Sequence, residues 1–368
     1  MPTTADFTDD TVLRETFMRF RSAPLPPSSH TAAEASATVR RRRRARMTLA
    51  AVGVISVIAV PVAAYGLTAG KAHRPGPGAG TATSAPVGPS QSATFYTGTL
   101  HDTGEVLDVA VSPDGTLIAT AGGNNHSVVL WSTATGQRVR VLAGEAVVNS
   151  IAFSPNGKLL ATGSDIFDPV TGARVRGFGG GAYDVAFSPD GSLIATANGY
   201  LPNGVRLFSA STGQLARQLT GDYASALAFS PDGKQLAAAT GYLNQGAVVW
   251  DAATGTKIRT LTGSSGGVAY SPDGKFVATG GGNVELWNPT SGALVRELDA
   301  TDVLAFSPDG RMLAATGRDK AVRLYDPATG TLIRTLPGVY ANQLAFSPDG
   351  KHVAVVGPDR TVQVAALG

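Results

Sequence analysis

The tetrapeptide Ser-Pro-Asp-Gly, once with Asn in place of Asp, begins at Ser112, Ser154, Ser188, Ser230, Ser271, Ser307 and Ser347, at intervals of 42, 34, 42, 41, 36 and 40 residues. A period near 40 that holds four short apolar runs fits the four-stranded blades of a β-propeller; helical repeats of that length would show 3.6-residue patterning and few turn dipeptides. The unit from Ala224 to Leu261 shows the order. SALAF leads into SPDG, QLAAAT follows, then AVVW, DAATG and KIRTL, which makes four strands joined by turns. Proline presets φ for the second turn position, and glycine supplies the left-handed conformation that closes a hairpin. A second turn recurs between the third and fourth strands, as Asp251 to Gly255, Asn288 to Gly292 and Asp326 to Gly330. Its first residue suits bonding to backbone amides inside the turn.

An open row of such blades would leave two apolar faces wet, and circular closure removes both. The last unit stops after Val362-Gln363-Val364 without a fourth strand, while Phe95 to Leu100, ahead of the first SPDG, matches the missing piece: Thr99-Leu100 repeats Thr260-Leu261. The expected fold is therefore all-β, a seven-bladed propeller over residues 94–368 whose first strand completes the last blade. Blade 2 should be short, because Ala161 to Asp168 leaves almost no loop between its second and third strands.

Trp131, Trp250 and Trp287, with Phe208 and Tyr325 at the same place, give VVLWS, VVWDAATG, VELWNPTSG, VRLFSASTG and VRLYDPATG. These segments resemble WD repeats, and the resemblance runs from Phe95 to Gly368. Only Trp250-Asp251 is a literal WD pair. The family's Gly-His pair, whose histidine helps to knit a buried polar network, is replaced by Gly144-Glu145 and Gly221-Asp222, so that network should be missing here. Other bacterial propellers with SPDG turns share the pattern. The resemblance implies a binding platform, of the bacterial membrane-anchored type given what precedes the repeats.

Met47 to Ala69 is uncharged and long enough to cross a bilayer core of ~30 Å as a helix, with Pro61 as a kink. A buried core helix is the alternative. Arg40 to Arg44 and Arg46 precede the segment, and only Lys71 and Arg74 follow closely, so a single-pass signal anchor with a cytoplasmic amino terminus and an extracytoplasmic propeller is expected at the cell membrane. A nuclear-localisation or polyanion-binding patch is the other reading of the arginines. Residues 70–93, rich in Pro, Gly, Ser and Ala, read as a linker. Within the tail of residues 1–46, Leu13, Phe17 and Phe20 lie at helical spacing over residues 9–20, either as part of a disordered tail or as a docking helix for a cytosolic partner or the bilayer surface.

The formal net charge is +3; residues 1–46 contribute +4 and Lys71 and Arg74 two more, which leaves −3 for residues 94–368. A repeat domain of that sign has no electrostatic footprint for phosphate, so nucleic acid is not an expected partner. There is no cysteine, and the five histidines are isolated. No metal, cofactor or catalytic residue is expected, and the SPDG aspartates read as turn formers. A channel-mouth enzyme of lactonase or quinoprotein type is the alternative, and it would need acidic, histidine or arginine side chains converging there.

Binding is expected from one rim, where loops are free to vary. Asn198 to Gly204 and Gly241 to Gly246 occupy equivalent places in adjacent blades and present Tyr200, Leu201, Tyr242 and Leu243. Tyr183, Tyr223 and Tyr340 precede innermost strands on the same rim, and Arg318 and Arg360 adjoin it. Tyrosines there suit partner contact, with local packing of long hairpins as the competing role. The functional expectation is a non-catalytic scaffold or sensor that holds a protein partner from the membrane. A transmembrane signalling protein with a docking tail, anti-sigma-like, is the second reading.

Overall fold

The computed structural model describes residues 95–101, 105–122, 127–143, 147–179, 181–198, 204–219, 223–240, 246–263, 266–319, 321–357 and 361–367. The chain divides into two units, residues 1–50 and 51–368, and every described residue lies in the second.

Twenty-eight strands make seven four-stranded antiparallel sheets. After β1 (Gly98–His101), blade 1 is β2 (Val106–Val111), β3 (Leu117–Gly122), β4 (Ser127–Ser132) and β5 (Arg138–Ala143). Blade 2 is β6 (Ala152–Phe153), β7 (Leu160–Ala161), β8 (Asp165–Phe167) and β9 (Arg174–Gly177); blade 3 is β10 (Asp184–Phe187), β11 (Leu193–Ala197), β12 (Val205–Ser209) and β13 (Leu215–Leu219). Blade 4 is β14 (Ala226–Phe229), β15 (Gln235–Ala239), β16 (Ala247–Asp251) and β17 (Lys257–Leu261); blade 5 is β18 (Gly267–Tyr270), β19 (Val277–Gly280), β20 (Val284–Trp287) and β21 (Leu294–Leu298). Blade 6 is β22 (Asp302–Phe306), β23 (Leu313–Thr316), β24 (Ala321–Tyr325) and β25 (Leu332–Tyr340); blade 7 is β26 (Gln343–Phe346), β27 (His352–Val356) and β28 (Thr361–Ala366), completed by β1.

Closure takes the register that the sequence suggests: Gly98 faces Val364, Thr99 faces Gln363 and Leu100 faces Val362. Blade 2 is short as expected, with three residues between β7 and β8.

The core lies between blades. Period-2 alternation sends Val128 and Leu130 of β4 into the seam with blade 2, where they meet Ile151, Phe153 and Leu160. Val129 and Trp131 of the same strand face the other way, toward Val356, Val362 and Val364 of blade 7. Seven such clusters fill seven seams, so no blade keeps a wet apolar face.

One group of expectations is corrected. The structure has no helix among its described residues, hence none long and apolar enough to cross a membrane. The apolar residues of the described chain come mostly in strands of a few residues, cut by turns and paired within sheets, and those of the three inner strands of each blade are largely buried in seams while several of the outer strands face outward. The fold is thus an all-β seven-bladed propeller, and the preceding transmembrane helix drops out of its description. With it go the membrane-anchored type, integration by one helix, the cell-membrane location and the transmembrane signalling role. Residues 47–69, the linker 70–93 and the 9–20 segment lie outside the described residues.

Candidate partner-binding rim

The antiparallel order puts the SPDG turns and the third-to-fourth-strand turns at one end of every blade, and the other connections at the opposite rim. The first end is committed to holding hairpins together. In blade 3 the buried Ser188 hydroxyl donates to Asp190 Oδ1 at 2.6 Å and accepts the Leu193 amide at 2.9 Å, while Asp190 accepts the Ser192 amide at 3.0 Å. The same serine–carboxylate bond recurs from Ser112, Ser230, Ser271, Ser307 and Ser347, and Ser154 makes it to Asn156. Partial burial works to raise each of these aspartates, yet the serine and amide bonds outweigh it and hold Asp114, Asp190, Asp232, Asp273, Asp309 and Asp349 below the usual carboxylate range.

At the second turn Asp251 accepts the Thr254 amide at 2.7 Å, and Gly255 at φ +75° returns its amide to the Asp251 carbonyl. These glycines have a second duty. From the outer strand of the preceding blade an arginine stem lies across each one: a Cβ at Gly330 would stand 2.5 Å from Arg296 Cδ, and at Gly255 2.6 Å from Arg217 Cδ. The guanidinium then donates to carbonyls of that turn, Arg296 to Thr329 and Ala328 at 2.6 Å each and Arg217 to Thr254 at 3.0 Å. Arg140 reaches Val170, Arg259 reaches Thr290 and Arg334 reaches Leu367 in the same manner. Blade 7 has Gly98 where the other outer strands carry arginine. There the Tyr96 ring lies against Gly98 and Gly136, and the Tyr96 amide donates to the Thr133 carbonyl at 2.5 Å.

This arginine clasp escaped the sequence reading, although its signal is present. An arginine stands two residues before a buried leucine of the outer strand in Arg140-Val141-Leu142, Arg217-Gln218-Leu219, Arg259-Thr260-Leu261, Arg296-Glu297-Leu298 and Arg334-Thr335-Leu336.

Of the nine expected contact residues, Tyr183, Tyr223, Tyr340 and Arg318 are described, at strand ends on the opposite rim. Tyr183 and Tyr223 are half-buried just before β10 and β14, and the Tyr183 amide is tied to the Ala197 carbonyl at 2.7 Å. Arg318 is exposed. Asp319 beside it shapes the turn, accepting the Ala321 amide at 3.1 Å and both guanidinium nitrogens of Arg323 at 2.9 Å, and these bonds hold its carboxyl low. Tyr340 ends β25 with its backbone opposite Ala321. Tyr200, Leu201, Tyr242, Leu243 and Arg360 lie outside the described residues.

In blades 1 and 5 the tryptophan of the third strand is tied to a threonine of the second: Trp131 Nε1 donates to Thr120 at 3.1 Å and Trp287 Nε1 to Thr279 at 2.9 Å. Among the described residues no three His, Asp or Glu side chains are grouped to hold a metal. Two buried aspartates, Asp108 and Asp184, were not foreseen. Burial first, then the Asp184 charge, pushes Asp108 up to about 8 against the pull of its amide bonds.

With this geometry in view, four stretches, 92–132, 136–165, 294–326 and 330–364, match the family model "WD domain, G-beta repeat", less than half of the chain in sum. Residues 178–286 match the model "Eukaryotic translation initiation factor eIF2A". Among curated proteins the chain is similar to "Small ribosomal subunit protein RACK1z" of Arabidopsis thaliana, 46% identical over 54 residues, or 15% of this chain and 16% of that protein. It is also similar to "Small ribosomal subunit protein RACK1" of Caenorhabditis elegans, 44% over 66 residues, or 17% and 20%. A third is "WD repeat-containing protein VIP3" of Arabidopsis thaliana, 38% over 74 residues, or 16% and 23%. The match spans less than a quarter of each relative. A solved structure, "Kuenenia stuttgartiensis Hydrazine Synthase", superposes with a TM-score of 0.64 at 19% identity, covering 76% of this chain and 98% of that one, and so shares the fold. Repeat matches of this kind support a non-catalytic module rather than an enzyme.

Proposed function

We propose that the propeller is a non-catalytic protein-binding module that meets its partner through the rim opposite the SPDG turns. The observation that carries this is the division of labour between the two ends. At one end the aspartates, serines and glycines of both turn types are consumed by hairpins and by the arginine clasp. The other end carries Tyr183, Tyr223 and Arg318 and the backbone of Tyr340, and in sequence Tyr200, Leu201, Tyr242, Leu243 and Arg360 fall between second and third strands, the kind of connection that belongs to that end. Tyrosine and arginine suit that place, since they give large contact area with a polar tip and dominate binding energy at protein interfaces. The curated relatives are named as ribosomal-subunit and WD-repeat proteins, which supports a part in assemblies.

Crosslinking of the full chain in cells, read by mass spectrometry, tests the proposal. Partner adducts on residues 198–204, 241–246 or the segments before β10 and β14 support it. Adducts concentrated on the SPDG turns would contradict it.

A further inference from the structure

The outermost strand of each blade is an edge of its sheet, so alternate amides and carbonyls along it point away from the blade. The charge of the propeller divides at these edges. Counted over the strands alone, the seven outer edges hold nine lysines and arginines against one acid, Glu297, a balance of +8 in a repeat domain of −3. The clasps do not cancel it, because they end on neutral carbonyls. Among the described residues the one carboxylate within ion-pair distance of an outer-strand cation is Asp165, 2.6 Å from Arg174.

Cations on an edge strand are ordinary guards against pairing, but a guarded edge shows its charges and hides its apolar side chains. β5 shows both. It is six residues long and reads Arg138-Val139-Arg140-Val141 before the buried Leu142; Arg138 is exposed, and Val139 and Val141 are 52% and 47% exposed. Arg140 adds a third valine. Its guanidinium donates to the Val170 carbonyl at 2.9 Å and so holds beside β5 the blade 2 turn on which Val170, at 74%, is the most exposed large apolar side chain among the described residues. On the next edge β9 repeats the pattern as Arg174-Val175-Arg176, with Val175 exposed. Elsewhere apolar exposure and charge part company. β21 and β25 begin with exposed Leu294-Val295 and Leu332-Ile333, but hold one arginine each, and that arginine is bound in a clasp.

We infer that β5, with the Val170 turn beside it, is a second docking surface, which takes an extended acidic segment of a partner protein by strand addition. The incoming backbone pairs with the outward amides and carbonyls of β5, its carboxylates meet Arg138, and its apolar side chains cover Val139, Val141 and Val170. Charge selects this occupant. A second copy of the chain pairing edge to edge on β5 sets arginine against arginine, which is unfavourable across a strand pair, whereas alternating acids and apolar residues answer both kinds of side chain. A nucleic acid answers the arginines alone and leaves the valines wet. The surface lies on the outer edge of blade 1, apart from the rim of Tyr183, Tyr223 and Arg318.

Hydrogen exchange of the full chain, with and without a peptide of about eight residues that alternates valine and glutamate, tests the inference. The peptide should slow exchange in β5. The same peptide with lysine for glutamate should not, and neither should the glutamate peptide methylated on alternate backbone nitrogens, which keeps every side chain but cannot extend a sheet. In the variant Arg138→Glu with Val141→Thr, which leaves the Arg140 clasp in place, fluorescence anisotropy should give a dissociation constant about tenfold higher or more. No protection in β5, equal binding of the lysine peptide or unchanged affinity in the variant would overturn the inference. So would protection of β5 by a single-stranded oligonucleotide and not by the peptide. If the variant does not fold, exchange in the natural chain decides.

Discussion

At the scale of single residues, the SPDG serine organises the hairpin more than its better-known proline and glycine. Ser307 is fully buried, donates to Asp309 at 2.6 Å and accepts the Met312 amide at 2.9 Å, so its removal strands an amide and a carboxylate together. Ser307→Ala should cost about 1–3 kcal/mol in urea unfolding, as for a buried donor left without its partner. At the glycine of the turn, Gly310 at φ +71°, a Cβ would meet only ordinary van der Waals contacts, 3.6 Å from Pro272 Cδ and 3.9 Å from Asp273 Cγ. Gly310→Ala should therefore cost only the left-handed backbone penalty, about 1–2 kcal/mol. These residues were legible because turn chemistry is local and repeats seven times. Asp108 and Asp184 were not: they stand at the equivalent position in only two of the seven blades, and an aspartate inside an apolar strand gives no sign from sequence of which neighbouring amide it will meet.

At the scale of elements, the blades are joined by apolar seams and by the clasp of arginine over glycine. Arg296 exemplifies the latter, and it also keeps its Nε buried without a partner, so packing of the stem matters as much as the charge. Arg296→Ala should lower stability by about 1–2 kcal/mol, and Arg296→Lys should recover only part of it, because an ammonium cannot reach two carbonyls in the plane of a guanidinium. The seam between blades 7 and 1 has Tyr96 instead. Tyr96→Ala should cost about 2–3 kcal/mol, more than Arg296→Ala, since it removes a ring that covers two glycines at the point where the chain ends meet. Hydrogen exchange should then rise first in β1 and β28. Blade number, strand order and the closing strand were readable from the spacing of turns and from Thr99-Leu100. The clasp was hidden because an arginine on an outer strand reads as a solvated cation until the next blade is placed beside it. The spanning helix expected over 47–69 rested on an uncharged apolar run of bilayer length preceded by arginines, and the described residues contain no helix.

At the scale of the whole molecule, stability should be lost at low pH through the turns. Six SPDG aspartates are held below their ordinary value of 3.8 by serine and amide bonds that win over partial burial. Their contribution is present above that value and disappears as pH falls through the lowered ones, so thermal midpoints should drop below about pH 4. Blade 2, with Asn156, adds nothing to this acid limb.

The proposed division of the propeller, one rim for binding and the other end for building hairpins, is open to direct measurement. The most direct measurement is the affinity of a partner recovered by crosslinking for three full-length chains: the natural one, Tyr183→Ala with Tyr223→Ala and Arg318→Glu, and Lys234→Glu with Lys275→Glu at the SPDG end. Loss of about 2 kcal/mol or more, some thirtyfold in Kd, in the rim variant alone is the predicted result. Equal affinity for the natural chain and the rim variant, with loss in the SPDG-end variant, would contradict it.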